Sequence, residues 1–291
     1  MLVCTALGAA STLSMAAAIG YSVRSDVDRK MYRINMMTGV ANELGPTGFS
    51  KIEALAINSA GEIFGVNPAS AQLVKCLSTT GACTAVGLLN GVAQLQTNAG
   101  MAFSTAGVLY LAMIAVVYRV DPLTAATVAL GSSGPALSSL AGVAPSTTCA
   151  SGLFGLGGNT DRGKFYCINI SNGVATLLGS IGLTPLDSGL DGDPVTGQVW
   201  GVSNDTPGQV FAITPETLAL SNLNTVTLAG SPIGGFESLA IVHVADEVAG
   251  LTPIPTMSNI ALILLALSIA AITSLTLSRR DRAAANLSRR E

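Results

Sequence analysis

The chain carries little charge. Only 11% of its 291 residues are charged, the formal net charge is −3, and the mean hydropathy is +0.56. A chain of this composition must bury its apolar surface in a core or a membrane, which excludes a disordered protein. Basic clusters are absent from the repeats described below, and phosphate neutralisation needs lysine and arginine in number. We therefore expect no nucleic-acid partner.

Residues and motifs of well-known active sites are also scarce. His243 is the only histidine, which excludes a multi-histidine metal site and makes any Ser-His-Asp triad depend on this residue. It follows an apolar strand, so an ordinary residue at a strand end is the simpler interpretation. The sequence has no GxSxG, Walker or CxxC motif. These absences favour a protein that is not an enzyme, without deciding the question.

An internal repeat fills most of the chain. Its clearest element is a short apolar strand that recurs about every 45 residues: KMYRIN (30–35), AQLVKC (71–76), VVYRVDP (116–122), KFYCIN (164–169) and QVFAITP (209–215). One further strand precedes the first copy and two precede each of the others. A turn and a strand follow each copy, as in TGACTAVG and NGVATLLG. Such Gly-containing turns between alternating runs are typical of β-hairpins.

A four-stranded unit repeated every ~40–50 residues is the signature of a β-propeller blade. We count five units over 19–245 and predict an all-β, five-bladed propeller, with a sixth blade if the natural start lies upstream. The first unit lacks its inner strand, and a surplus strand, ESLAIV (237–242), follows the last one. This strand is expected to complete the first blade and close the ring.

Four cysteines fall within the repeats. An even number in an exported protein suggests two disulfides. The segment CLSTTGAC places Cys76 and Cys83 on facing strands of one hairpin, which predicts a Cys76–Cys83 bond and leaves Cys149 to pair with Cys167. Four buried free thiols are the alternative.

Both ends of the chain differ from the repeats. Residues 1–18 form an apolar, signal-like leader without lysine or arginine. A linker at 246–259 precedes an apolar run at 260–278, which predicts a transmembrane helix. The arginine-rich tail at 279–291 would then be cytoplasmic, with the propeller on the outer side.

The C-terminal segment IPTMSNIALILLALSIAAITSLTLSRR resembles the IPTL-CTERM sorting domain of Gram-negative bacteria, with Ile254, Pro255 and Thr256 at the motif positions. The resemblance implies export, tethering in the inner membrane, and cleavage near the motif by a sorting peptidase, followed by transfer to the cell surface or exterior. The repeats are similar to those of exported bacterial propellers, as VYRVDPLTAATVALG (117–131) illustrates. That second resemblance concerns the fold and implies no activity.

Two sets of acidic residues are candidates for a site. Alignment of the repeats places Glu53, Ala99, Ser138, Ser188 and Glu237 in one ring at the entrance to the inner strands. Glu53 and Glu237 on adjacent blades would face each other across a channel, as weak candidates for a cation site or for an acid and base acting on a glycan. Four loop aspartates on the same face are weak candidates for Ca²⁺ ligands: Asp26, Asp28, Asp161 and Asp205. We expect no other cofactor.

The sequence therefore favours an exported, envelope-sorted propeller that acts as a surface binding or structural module, with a glycan or a surface protein as partner. One alternative is an extracellular polysaccharide hydrolase or lyase that uses Glu53 and Glu237. The other is a permanently anchored single-span membrane protein with the same architecture.

Overall fold

The computed structural model describes residues 17–92 and 99–244. These residues form five sheets arranged as blades, which confirms the predicted five-bladed propeller. The described part of the chain contains no helix that is long and apolar enough to cross a membrane. The predicted membrane helix at 260–278 and the sorting motif lie outside the described residues, as does most of the predicted leader.

Each blade has an inner, two middle and an outer strand, encoded in that order in blades two to five. Blade one holds β1 (Ala17–Val23), β2 (Lys30–Asn35) and β3 (Val40–Pro46). Blade two holds β4 (Ala54–Ile57), β5 (Ile63–Asn67), β6 (Gln72–Cys76) and β7 (Cys83–Leu88). Blade three holds β8 (Ala99–Phe103), β9 (Leu109–Met113), β10 (Val116–Val120) and β11 (Thr127–Ser132).

The last two blades follow the same order. Blade four holds β12 (Leu137–Gly142), β13 (Leu153–Gly157), β14 (Lys164–Ile168) and β15 (Ala175–Ser180), with one 3₁₀ turn at Asn159–Asp161. Blade five holds β16 (Ser188–Gly192), β17 (Val199–Ser203), β18 (Gln209–Thr214) and β19 (Ala219–Thr225). The chain then forms β20 (Thr227–Leu228), β21 (Ser231–Pro232) and β22 (Ala240–Val244).

Strand β22 closes the ring. It pairs antiparallel with β1, with Ile19 opposite Val242 and Tyr21 opposite Ala240, and so supplies the inner strand that the first blade lacks. The closure predicted from the surplus strand is confirmed. His243 lies in this strand, opposite Ala18. Strand β1 begins at Ala17, so the last two residues of the predicted leader take part in the sheet.

A short hairpin that the repeat does not predict extends the first blade to six strands. Strand β20 pairs in parallel with the outer strand β3, with Thr227 opposite Val40, and β21 pairs with β20. The hairpin covers the edge of β3, which otherwise presents unpaired backbone groups to solvent.

The hydrophobic core is divided among the five interfaces between neighbouring blades. Each of five clusters of buried side chains combines residues of two adjacent sheets. Phe64 of blade two meets Phe103 of blade three edge-on, with ring centroids 5.7 Å apart. Tyr110 and Trp200 are buried in two of these clusters. One blade thus cannot bury its own faces, which is why the unit recurs.

The inner strands pack backbone to backbone around the axis. A Cβ atom on Gly142 of β12 would lie 1.9 Å from the carbonyl oxygen of Phe103 in β8, and one on Gly192 of β16 would lie 1.9 Å from that of Gly142. Only glycine permits these approaches. The inner strands therefore contact one another at this level, where an open central channel was expected.

Both predicted disulfides are present. Cys76 and Cys83 are directly opposite each other in β6 and β7 and form one bond. Cys149, in the loop between β12 and β13, bonds to Cys167 of β14. Both disulfides lie within single blades, so each reinforces one sheet and neither links two blades.

Candidate acidic site

Glu53 and Glu237 occupy equivalent positions at the start of the inner strands of two adjacent blades. The amide of Glu53 donates a hydrogen bond to the carbonyl of Val66 (3.0 Å), and the amide of Glu237 donates one to that of Val23 (3.3 Å). Val66 and Val23 belong to the strands that pair with the two inner strands. Because both glutamates make the same type of backbone hydrogen bond, they occupy the equivalent positions that the alignment of the repeats predicted. Both side chains are buried, with 2% of Glu53 and 4% of Glu237 exposed.

The other three members of the predicted ring are also buried: Ala99, Ser138 and Ser188. The hydroxyl oxygens of Ser138 and Ser188, on blades four and five, are 3.5 Å apart. Ala99 carries no polar group, so the ring offers carboxylates only on its Glu53–Glu237 side. The boundary between blades one and two is therefore the part of the ring that can bind a cation or exchange a proton.

Asp26 joins this pair from the loop between β1 and β2. One carboxylate oxygen each of Asp26, Glu53 and Glu237 lie within 4.8 Å of one another, and we call these three residues the acidic cluster. The Lys51 ammonium contacts two of them, at 3.1 Å from Asp26 Oδ1 and 2.9 Å from Glu53 Oε1. Lys51 thus supplies one positive charge against three carboxylates.

Polar groups of blade five border the acidic cluster. The Asn204 side-chain amide donates a hydrogen bond to Glu237 Oε1 (3.0 Å), and the Asn204 backbone amide donates one to the carbonyl of Asp187 (2.9 Å). The Asp187 carboxylate accepts the amide hydrogen of Ser188 (2.7 Å) and is itself buried. A fourth carboxyl group therefore lies near the cluster.

Burial is the largest effect on the pKa values of the Glu237 and Asp187 carboxyl groups. It raises the pKa of Glu237 to about 7, with the Asp26 charge acting in the same direction and the Lys51 ammonium opposing it. Burial likewise raises the pKa of Asp187 to about 7, against the hydrogen bond from Ser188. The Oε2 atom of Glu237 is buried and has no hydrogen-bond partner. The site thus has more negative charge than its neighbours compensate.

The other predicted metal ligands do not join this group. Asp28 pairs with Arg24 (2.7 Å), which in turn lies over the rings of Tyr32 and Phe236. Asp161 pairs with Lys164 (2.6 Å). Asp205 accepts the amide hydrogen of Leu186 (3.4 Å) and lines a cavity of about 200 Å³. Of the four loop aspartates, the structure brings only Asp26 to the glutamates.

A further buried carboxyl lies in β16 of blade five. Asp191 is 4% exposed, and its two oxygens accept the amide hydrogens of Gly192 and of Ile241 in the closing strand, both at 2.8 Å. Burial raises its pKa to about 8, against the effect of these two hydrogen bonds. Asp191 therefore connects the fifth blade to the strand that completes the first.

The geometry gives no support to polysaccharide cleavage. Glu53 and Glu237 do converge, as a carboxylate pair for glycoside hydrolysis requires. Both are buried, however, and Lys51 is bound to Glu53. A glycan chain cannot reach either carboxylate in this conformation. The arrangement is better suited to holding a cation or a proton.

The strands described above define the chain as an all-β, five-bladed β-propeller. No family model and no curated protein matches the sequence. Among solved structures, a chain in the crystal structure of a nidogen/laminin complex matches at 13% identity and a TM-score of 0.48, over 79% of this chain and 86% of that chain. The five sheets define the fold, and a fold of this kind does not by itself determine a function.

Proposed function

We propose that this chain is an exported, envelope-sorted propeller whose loop-bearing face acts as a binding or structural module. The observation that supports a module of this type is the closed ring, in which five sheets and the β1–β22 pairing fix the loops on a rigid scaffold. Loops held on such scaffolds commonly carry binding function. The propeller fold itself fits a binding or structural role.

Two features support export. The structure contains two disulfides, and such bonds persist mainly in oxidising compartments outside the cytosol. The sequence of the C-terminal segment resembles a sorting domain, with its motif at Ile254–Thr256. Inner-membrane tethering through residues 260–278, followed by release to the surface or medium, is the route that we propose.

The proposed partner is a glycan or a surface protein that docks on the face carrying the acidic cluster. On that face, the loop before β16 and the loop between β17 and β18 line the cavity of about 200 Å³, which combines apolar and polar groups: Leu183, Thr184, Pro185, Ser203, Asp205 and Gln209. A shallow site of this mixed character suits hydrogen bonding to hydroxyl groups together with apolar contact.

Export and processing are tested by the intact mass of the protein from cells and from the medium. We expect a species that ends near Thr256 outside the inner membrane, with a mass lower by four hydrogens before reduction because of two disulfides. Replacing Ile254–Thr256 with alanines should leave full-length protein in the membrane, whereas Asn259→Ala, just beyond the motif, should be processed normally. Full-length protein confined to the membrane would instead indicate the permanently anchored alternative.

Binding is tested by sedimentation of the released protein with cell envelopes prepared from a deletion strain. Asp205→Ala and Gln209→Ala, on the proposed face, should each weaken cosedimentation by several-fold. Asp121→Ala is the matched control, because this exposed turn residue lies between β10 and β11, on the opposite face. Equal binding by all three variants would refute a docking role for this face.

A further inference from the structure

We propose that Asp26, Glu53 and Glu237 together bind a Ca²⁺ ion that clamps the seam between the closing strand and the second blade. This site is on the same face as the proposed docking cavity but includes none of the residues that line it, and neither proposal depends on the other. Three acidic side chains are not in themselves a metal site, but these three combine a spacing that suits Ca²⁺, a buried oxygen without a hydrogen-bond partner, and access from solvent.

The spacing of the carboxylates suits Ca²⁺. This ion takes six to eight oxygen ligands at about 2.3–2.6 Å, so oxygens on opposite sides of it lie about 4.6–5.2 Å apart. One oxygen from each of the three residues lies within 4.8 Å of the other two. One ion can therefore contact all three with little movement of the side chains, and water can complete the coordination sphere.

One buried carboxylate oxygen of the cluster lacks a hydrogen-bond partner. Glu237 is 4% exposed, and its Oε2 atom has no partner. Glu53 is 2% exposed, and its Oε1 atom forms an ion pair with the Lys51 ammonium at 2.9 Å. Burying a carboxylate oxygen unpaired is unfavourable, and a divalent cation compensates both the charge and the missing contact.

The cluster has a path to solvent and a cation that can move aside. The Asp26 side chain is 63% exposed, so an ion can enter from the loop face. Lys51 is 14% exposed at its side chain and has a long flexible stem, so its ammonium can turn toward water when Ca²⁺ occupies the carboxylates. Ammonium and Ca²⁺ thus compete for the same oxygens.

The position of the cluster gives the ion a structural task. Asp26 follows β1, Glu53 precedes β4 of the second blade, and Glu237 precedes the closing strand β22. A single ion joins three segments that are far apart in sequence but meet where the ring closes. Ca²⁺ binding is therefore coupled to closure, and the folded ring gains stability by mass action.

The test uses the full-length chain in mild detergent, freed of metal by chelation, with thermal unfolding followed by circular dichroism at pH 7.5. For a dissociation constant of about 10⁻⁴–10⁻³ M, which is common in extracellular modules, 10 mM Ca²⁺ should raise Tm by roughly 3–10 °C. Equilibrium dialysis should find one bound Ca²⁺ per chain. Glu53→Gln and Glu237→Gln should lose both signals, whereas Asp161→Asn, outside the cluster, should retain them.

Lys51→Met separates a metal site from a simple buried ion pair. If ammonium and Ca²⁺ compete, this variant should bind Ca²⁺ several-fold more tightly and show a larger rise in Tm, even if its metal-free form is less stable. No Ca²⁺ bound at 10 mM, an unchanged response in Glu237→Gln, or a loss of response in Lys51→Met would each overturn the proposal. So would an equal rise in Tm with Mg²⁺ or with NaCl of matched ionic strength.

Discussion

Asp191 offers a stringent test of how the ring is held closed. Its carboxyl is buried and accepts the amide hydrogen of Ile241 in the closing strand and that of Gly192 in its own strand. Asn at this position keeps the size but replaces one acceptor by an NH₂ group, which leaves one backbone N–H without a partner. An unsatisfied buried donor costs about 1–3 kcal/mol. We therefore expect Asp191→Asn to be less stable than wild type by about this amount at pH 6.

The difference between the two proteins should depend on pH. The pKa of Asp191 is raised from 3.8 to about 8, so the folded state holds the proton more tightly than the unfolded state does. Its contribution to stability is fully present below pH ~4 and is lost as pH rises through 8. Between pH 6 and 9 the wild type should lose about 2–3 kcal/mol through this group alone, or roughly 5–10 °C in Tm.

Thermal unfolding at half-unit pH steps from 6 to 9 measures this dependence. Asp187 and Glu237 also have pKa values raised to about 7, but they are present in both proteins and cancel in the comparison. The stability gap between wild type and Asp191→Asn should therefore close toward pH 9. Asp121→Asn is the control. The hydrogen bond from the Leu123 amide lowers the pKa of this exposed carboxylate, so the substitution should leave the pH dependence of Tm between pH 6 and 9 unchanged. Parallel profiles for wild type and Asp191→Asn would refute the assignment.

Two further predictions concern the packing of the ring and its disulfides. Gly142→Ala should lower the free energy of unfolding by more than ~2 kcal/mol, because its Cβ would meet the Phe103 carbonyl. Gly107 has φ +76° and open space around it, so Gly107→Ala should lower the same quantity by only about 1–2 kcal/mol. Equal losses in urea unfolding would contradict the backbone contact at Gly142. Cys76→Ser should lower the free energy of unfolding by about 2–3 kcal/mol, and Cys149→Ser by somewhat more. The bridged cysteines are 7 and 18 positions apart, and a disulfide that closes a longer loop stabilises the fold more. Unchanged thermal unfolding of either variant would exclude the corresponding disulfide in solution.

The repeat made much of the fold predictable. Blade number, strand order and closure by the surplus strand all follow from a unit that recurs at a constant spacing, because each copy must use the same register to pack on its neighbours. The Cys76–Cys83 bond was predictable for a similar reason, since the hairpin register places the two residues opposite each other. The β20–β21 hairpin has no counterpart in other units, so no alignment could indicate it.

The site was predictable only where it follows the repeat. Glu53 and Glu237 share a register position, and the alignment brought them together. Asp26 lies on a loop whose path the repeat does not specify, and Lys51 precedes the strand, so their convergence depends on tertiary packing. Asp191 was missed for another reason: its role depends on how closely the inner strands approach, and that distance is set by glycines whose packing is not visible in the sequence.

The pairing of β1 with β22 also determines when folding can finish. Strand β1 is synthesised before β22, and almost the whole described chain separates these two paired strands. Contacts of such long sequence separation form slowly, because loop closure must precede them. If the chain is exported with its N-terminus leading, the first blade waits with an open edge until residues 240–244 emerge. By the export route proposed above, the strand that completes the ring would therefore be the last part of the propeller to cross the membrane.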